Sequence, residues 1–126
     1  MKIIFEMIDI AQVQNDNADY NTLIFKIELG KTIDLDNTKH IRVFFDTLIN
    51  GGARKILIDM KAMEYIDSAG IGILINTAKL IRSKGGDIVL TSVSSEIKNI
   101  FNIINLQDFI KIFNLEVEAV EFFRYL

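Results

Sequence analysis

The chain has 126 residues, half of them hydrophobic, with 14 Lys and Arg against 17 Asp and Glu; such a composition folds as one domain and is far from that of a disordered segment. The formal net charge of -3 comes with no cluster of Lys and Arg, which excludes a nucleic-acid partner because nothing neutralises a row of phosphates. No apolar run is long enough to span a membrane, charge follows Met1 too early for a secretory leader, and cysteine is absent, so the expected place is the cytoplasm, without disulfides, thiol catalysis or zinc–thiolate sites.

In chain order, Ile3 to Ile10 reads as a first strand rich in Ile and Phe. Gln12 to Asn21 is polar, and Asn15, Asp16, Asn17 and Asp19 favour turns because such side chains hydrogen-bond nearby backbone. Leu23, Phe25, Ile27 and Leu29 alternate with a period of two, so a second strand is expected to pair with the first as a hairpin with a long tip. After Gly30, Lys31 to Asp36 leads into a helix whose Ile41, Phe44, Phe45, Leu48 and Ile49 form one apolar stripe. Asp36, Asn37 or Thr38 caps its start, and Gly51-Gly52 ends it in the left-handed manner. Lys55 to Met60 is a continuous apolar run, the mark of a buried strand. A mostly buried helix follows from Ser68 to the stop at Gly85-Gly86, then a short strand at Asp87 to Ser92. Ser94 or Ser95 opens a third helix, with Ile97, Ile100, Phe101 and Ile104 on one side and Glu96 placed favourably for the dipole. A short strand at Phe109 to Phe113 and a terminal helix from Leu115 to Leu126 complete the chain. The order β-β-α-β-α-β-α-β-α contains strand–helix–strand units that force parallel pairing. It predicts one α/β domain over residues 1–126, with a mixed sheet of about four to five strands and about four helices.

The most informative stretch is Asp67-Ser68-Ala69-Gly70, where a buried strand passes into an apolar helix. It sets the hydroxyl of Ser68 at a helix N-terminus, where backbone N–H groups lack partners and the dipole is positive. Such a position tolerates added negative charge and points to a switch worked by phosphate rather than to catalysis. The small residues Ala69, Gly70 and Gly72 keep the surface open there. From these four residues alone, a helix cap with glycines that allow close packing is the simpler reading.

Other candidate chemistry is thin. His40 is the only histidine and, near a helix start, is expected to be a solvated surface residue rather than part of a Ser-His-Asp system. Asp34 with Asp36, and Glu116 with Glu118, are two apart and point to different sides of a helix, so they read as caps and solvated faces. Gly51-Gly52 and Gly85-Gly86 precede strands, not helices, and make no phosphate-cradling loop. The residues therefore imply no catalytic centre, no metal and no cofactor. A receiver-like phosphoacceptor domain shares the layering, and Asp59, Thr91 and Lys111 echo its site. Such a domain needs an acidic pair at the end of a first strand that feeds a helix, whereas Asp9 is followed by a polar turn; without clustered acids no Mg²⁺ is held.

The run Ile58-Asp59-Met60-Lys61-Ala62-Met63-Glu64-Tyr65-Ile66-Asp67-Ser68-Ala69-Gly70-Ile71-Gly72-Ile73-Leu74 resembles the signature of the STAS domain, in its bacterial anti-sigma factor antagonist branch. The likeness covers nearly the whole chain in length and element order. It implies a non-enzymatic regulator that, when dephosphorylated, binds an anti-sigma factor that is also a serine kinase, and so releases a sigma factor. It implies phosphorylation of Ser68 by that kinase, reversal by a serine phosphatase, and a free protein that is a monomer. The partner surface implied is Asp34, Asp67, Ser68, Ala69 and Gly70, with Asp34 in the turn Gly30-Lys31-Thr32-Ile33-Asp34, one residue longer than is usual in the family. In this context phosphorylation is favoured over a bare cap. The alternatives are a non-switching STAS subunit of a membrane transport complex, for instance one moving lipids, with Ser68 as a cap, and a ligand-sensing STAS domain.

Overall fold

A computed structural model describes residues 2–10 and 22–126. Its elements run β1 (Ile4–Asp9), β2 (Leu23–Glu28), β3 (Thr32–Ile33), α1 (Thr38–Asn50), β4 (Lys55–Asp59), β5 (Tyr65–Ile66), α2 (Ser68–Ser83), β6 (Asp87–Thr91), α3 (Ser95–Ile103), a 3₁₀ turn (Leu106–Asp108), β7 (Lys111–Phe113) and α4 (Glu116–Arg124). The expected turn at Gln12 to Asn21 lies outside the described residues.

Five strands form one mixed sheet in the order β1-β2-β4-β6-β7. β1 and β2 pair antiparallel, whereas β2–β4, β4–β6 and β6–β7 are parallel. The register aligns Ile27, Ile58, Leu90 and Ile112 in one row and Lys26, Leu57, Val89 and Lys111 in the next. Adjacent rows face opposite sides of the pleat. The first side packs on α1, α2 and α3 through Ile41, Phe45, Ile73, Leu74 and Phe101. The second is covered by α4, where Ala119 and Phe123 meet Ile24, Leu57 and Val89. All five residues of β4 are buried, which is why the run Lys55 to Met60 shows no polar alternation.

Backbone contacts set the ends of α1 and α2. Ala53 N–H donates to the carbonyl of Leu48, and Asp87 N–H donates at 2.9 Å to that of Arg54. A Cβ on Gly86 would lie 2.1 Å from the Arg54 carbonyl oxygen; only glycine allows this approach of the two strand starts. Arg82 closes the same end, pairing with Asp87 at 2.9 Å and donating to the Phe109 carbonyl while its guanidinium covers the Phe109 ring.

Among the main helices and strands, two details differ from the sequence expectation. Asn37 stands at the N-cap of α1 without making a side-chain cap bond; its amide is turned back into the preceding loop. The last strand begins at Lys111 rather than Phe109, because Leu106 to Phe109 is drawn into a 3₁₀ turn whose Leu106 is buried.

Candidate functional site

The short ribbon of β3 and β5, absent from the sequence expectation, builds the site. Thr32 aligns with Tyr65 and Ile33 with Ile66. The N–H groups of Glu64 and Tyr65 donate to the Lys31 carbonyl at 2.7 and 3.1 Å, and Asp67 N–H donates to that of Ile33 at 3.1 Å. Ile33 and Ile66 turn into the core, while Tyr65 is exposed. The ribbon thereby lays the loop after β3 alongside the start of α2.

Asp67 fastens the two segments together. As N-cap of α2 it has extended backbone, and its Oδ1 accepts from Gly70 N–H at 2.9 Å. Its Oδ2 accepts from Leu35 N–H at 3.1 Å, across 32 residues of sequence. The neighbouring loop is internally bonded. Asp34 N–H donates to Asn37 Oδ1 at 3.0 Å, Asn37 Nδ2 donates to the Thr32 carbonyl at 2.8 Å, and Asp36 N–H donates to Asp34 Oδ1 at 3.0 Å. Asn37 therefore serves this loop rather than α1.

Ser68 is the first residue of α2 and is exposed. The first turn of α2 contains no acidic side chain, so its positive end is opposed locally by the capping carboxylate of Asp67. Asp34, Asp67 and Ala69 are half-buried around it. Gly70 is buried, and a Cβ there would come within 2.8 Å of Ile33 Cγ2 and of the Ile33 carbonyl oxygen and 2.7 Å of Ile66 Cγ1. Its contribution is to let α2 seat against the ribbon rather than to offer surface. Gly72, by contrast, faces open space. Leu35, 77% exposed, and Tyr65, 54% exposed, stand beside these polar groups.

The residues that echo a receiver site are engaged in other contacts. Asp59 aligns with Thr91 at the ends of β4 and β6, but it is buried and faces Lys26 at 3.9 Å and Lys61 at 3.6 Å. Lys111 aligns with Val89 and its ammonium lies over the Phe122 ring. Lys26 also meets Glu116 at 3.1 Å and Lys61 meets Glu28 at 3.7 Å. Burial pulls the Lys26 ammonium down, but the Glu116 hydrogen bond and charge, with Glu6 and Asp59, outweigh it and leave its pKa raised. This network joins the start of α4 to the sheet. His40 is exposed in the first turn of α1. Among the described residues, no three His, Cys, Asp or Glu converge on a possible cation, and no helix is long and apolar enough to cross a membrane.

The sequence reading missed the ribbon and the bond from Asp67 to Leu35. The signal available was slight: two dipeptides, Thr32-Ile33 and Tyr65-Ile66, each joining a β-branched or aromatic residue to an isoleucine.

Comparison with known proteins agrees with this architecture. The sequence pattern of the STAS domain matches residues 11–119. The chain is 32% identical over 93 residues to a Thermotoga neapolitana protein provisionally named an anti-sigma factor antagonist, spanning 73% of this chain and 82% of that one. It is 28% identical over 105 residues to the anti-sigma-B factor antagonist of Bacillus subtilis, spanning 83% and 88%. The Bacillus protein SpoIIAA in its unphosphorylated form shares the fold, with a TM-score of 0.71 at 18% identity over 98% of both chains. The same protein in its phosphorylated form aligns with a TM-score of 0.62 at 19% identity, over 94% of this chain and 97% of that one.

Proposed function

The chain belongs to the STAS domain family, and from that membership and the exposed Ser68 we propose that it is an antagonist of an anti-sigma factor, switched by phosphorylation of Ser68. The partner is an anti-sigma factor that is also a serine kinase; binding it frees a sigma factor, and a serine phosphatase restores the active form. The place of action is the cytoplasm. The observation that carries the reading is a serine presented outward at the first position of α2, with the loop of Asp34 fastened beside it. The antagonist relatives supply the class of partner, and the existence of SpoIIAA in phosphorylated and unphosphorylated forms supports a phosphate switch on this fold.

The physical logic is one of interface charge. Unmodified, Ser68 is a small neutral hydroxyl that a partner can cover. A phosphoryl group adds about -1.5 to -2 charges next to the Asp67 carboxylate. An uncompensated charge buried in an interface costs about 3–5 kcal/mol, which weakens binding by roughly two to four decades. In the free protein water and the positive end of α2 accommodate the group, so the switch needs no refolding.

The test is phosphopeptide mass spectrometry on the protein purified from its native cells, with Ser68→Ala as the control. Phosphate on Ser68, lost in the variant, is expected. Ser68 unmodified across growth and stress conditions refutes the switch. Ser68→Asp is expected to abolish kinase binding with thermal stability nearly unchanged, and tight binding by that variant would overturn the mechanism.

A further inference from the structure

The ribbon of β3 and β5 brings Leu35 alongside Ser68. Asp67 N–H donates to the Ile33 carbonyl at 3.1 Å; in a parallel ladder the next bond would run from Leu35 N–H to the Asp67 carbonyl. That carbonyl is taken by Ile71 N–H, at 3.0 Å, in the first turn of α2. The Asp67 side chain supplies the acceptor instead, its Oδ2 lying 3.1 Å from Leu35 N. The ladder is thus carried one position beyond the two aligned pairs, Thr32 with Tyr65 and Ile33 with Ile66. The same offset sets Leu35 next to Ser68, and neighbouring strands lie about 5 Å apart.

A single exposed leucine is ordinary on a protein surface. Leu35 differs in being 77% exposed while its backbone is held on both sides. Its N–H is bonded to Asp67 and its carbonyl accepts from the Thr38 hydroxyl at 3.4 Å. Asp34 and Asp36, before and after it, are bonded within the loop. The side chain is therefore presented on an ordered segment, and covering it costs little conformational entropy.

We propose that Leu35 is the apolar anchor of the surface read by the anti-sigma factor kinase, which seats this side chain in an aliphatic pocket as it covers Ser68. This role rests on the phosphate-switch reading above and adds to it the chemistry that the partner must offer. A partner that covers Ser68 has to cover Leu35 as well. A standard interface takes about 800 Å² from each side, a disc of about 16 Å radius, so a neighbour about 5 Å from the serine lies near its centre. The centre is where contacts are driest and strongest. A partner surface shaped for a leucine brings no cation to that spot, which is the condition under which a phosphoryl group on Ser68 stays uncompensated.

The test is isothermal titration calorimetry of the full chain with the purified anti-sigma factor kinases of its native cells. Leu35→Ser should raise Kd at least about tenfold, and Leu35→Met should stay within about threefold of the parent. Both variants should keep the parent's melting temperature. Ile103→Ser is the control. Ile103 is 80% exposed and ends α3, which runs back toward the strand starts as the parallel pairing of β6 with β7 requires, away from Ser68; its variant should bind as the parent does. Parent-like binding by Leu35→Ser, or an equal loss in Ile103→Ser, overturns the inference and leaves the phosphate switch standing. A lowered melting temperature in Leu35→Ser shows that the side chain packs within its own chain, and also overturns it. If none of the kinases binds the parent chain, the antagonist reading itself fails, and the anchor with it.

Discussion

Removing the Asp67 carboxylate should loosen both halves of the candidate site together, and the size of the effect follows from its two bonds. The bond to Gly70 N–H, 2.9 Å long, is an N-cap interaction; replacing such a cap with alanine costs about 1 kcal/mol. The bond to Leu35 N–H, 3.1 Å long, lies at the surface, so water replaces it after deletion and the loss is about 0.5–1.5 kcal/mol. Asp67→Ala should therefore destabilise the fold by about 2 kcal/mol, a fall in melting temperature of about 8 °C for a domain of this size. Asp67→Asn keeps a good capping oxygen but has one acceptor instead of two, so about half of that loss is expected. The assay is urea unfolding of the three proteins, with amide hydrogen exchange at Leu35 and Gly70. Asp67→Ala should speed exchange at both amides, and Asp67→Asn chiefly at Leu35. Stability of Asp67→Ala within about 0.3 kcal/mol of the parent, or equal losses in the two variants, would refute the account in which one side chain bridges two segments.

Four further outcomes are expected. Gly72→Ala, which meets nothing within 4 Å, should stabilise by up to about 1 kcal/mol because alanine is the better helix former. Gly70→Ala gains the same propensity but forces Ile33 and Ile66 apart, so a net loss of about 1–2 kcal/mol is expected in urea unfolding; a gain would mean that α2 does not seat against the ribbon. Phe123→Ala should cost about 3–5 kcal/mol by thermal or urea unfolding, since Phe123 is fully buried between α4 and the sheet. Lys26 has a pKa raised above 10.5 by Glu116, Glu6 and Asp59. Its contribution is therefore complete below 10.5 and lost as pH rises through the higher folded value; melting curves at alkaline pH should show a fall that Glu116→Gln reduces.

The main helices and strands were legible because their signals are long. The stripe from Ile41 to Ile49 spans more than two turns, and the run through β4 can only be covered on both sides. Ser68 at the start of α2 was legible because an Asp-Ser pair between a buried strand and an apolar helix leaves few other readings. The role of Gly70 was not: a glycine beside a surface serine reads as open surface, and only the approach of Ile33 from 37 residues upstream shows it to be buried. The ribbon itself is two residues on each side, below the length at which alternation can be seen. Asn37 was read as a cap because that is the local preference of its type, yet the loop of Asp34 competes for the same amide and wins it.

The ribbon also has a consequence for the order in which the molecule is made. Residues 32–33 meet 65–66, so the contact closes a loop that contains all of α1 and β4. Two aligned pairs cannot repay the entropy of closing a loop of that length; the packing of α1 and β4 must bring the ends together first. Ser68 and the loop of Asp34 consequently become neighbours late in folding, after the sheet centre is in place. During synthesis the chain carries both segments of the site well before it carries the site.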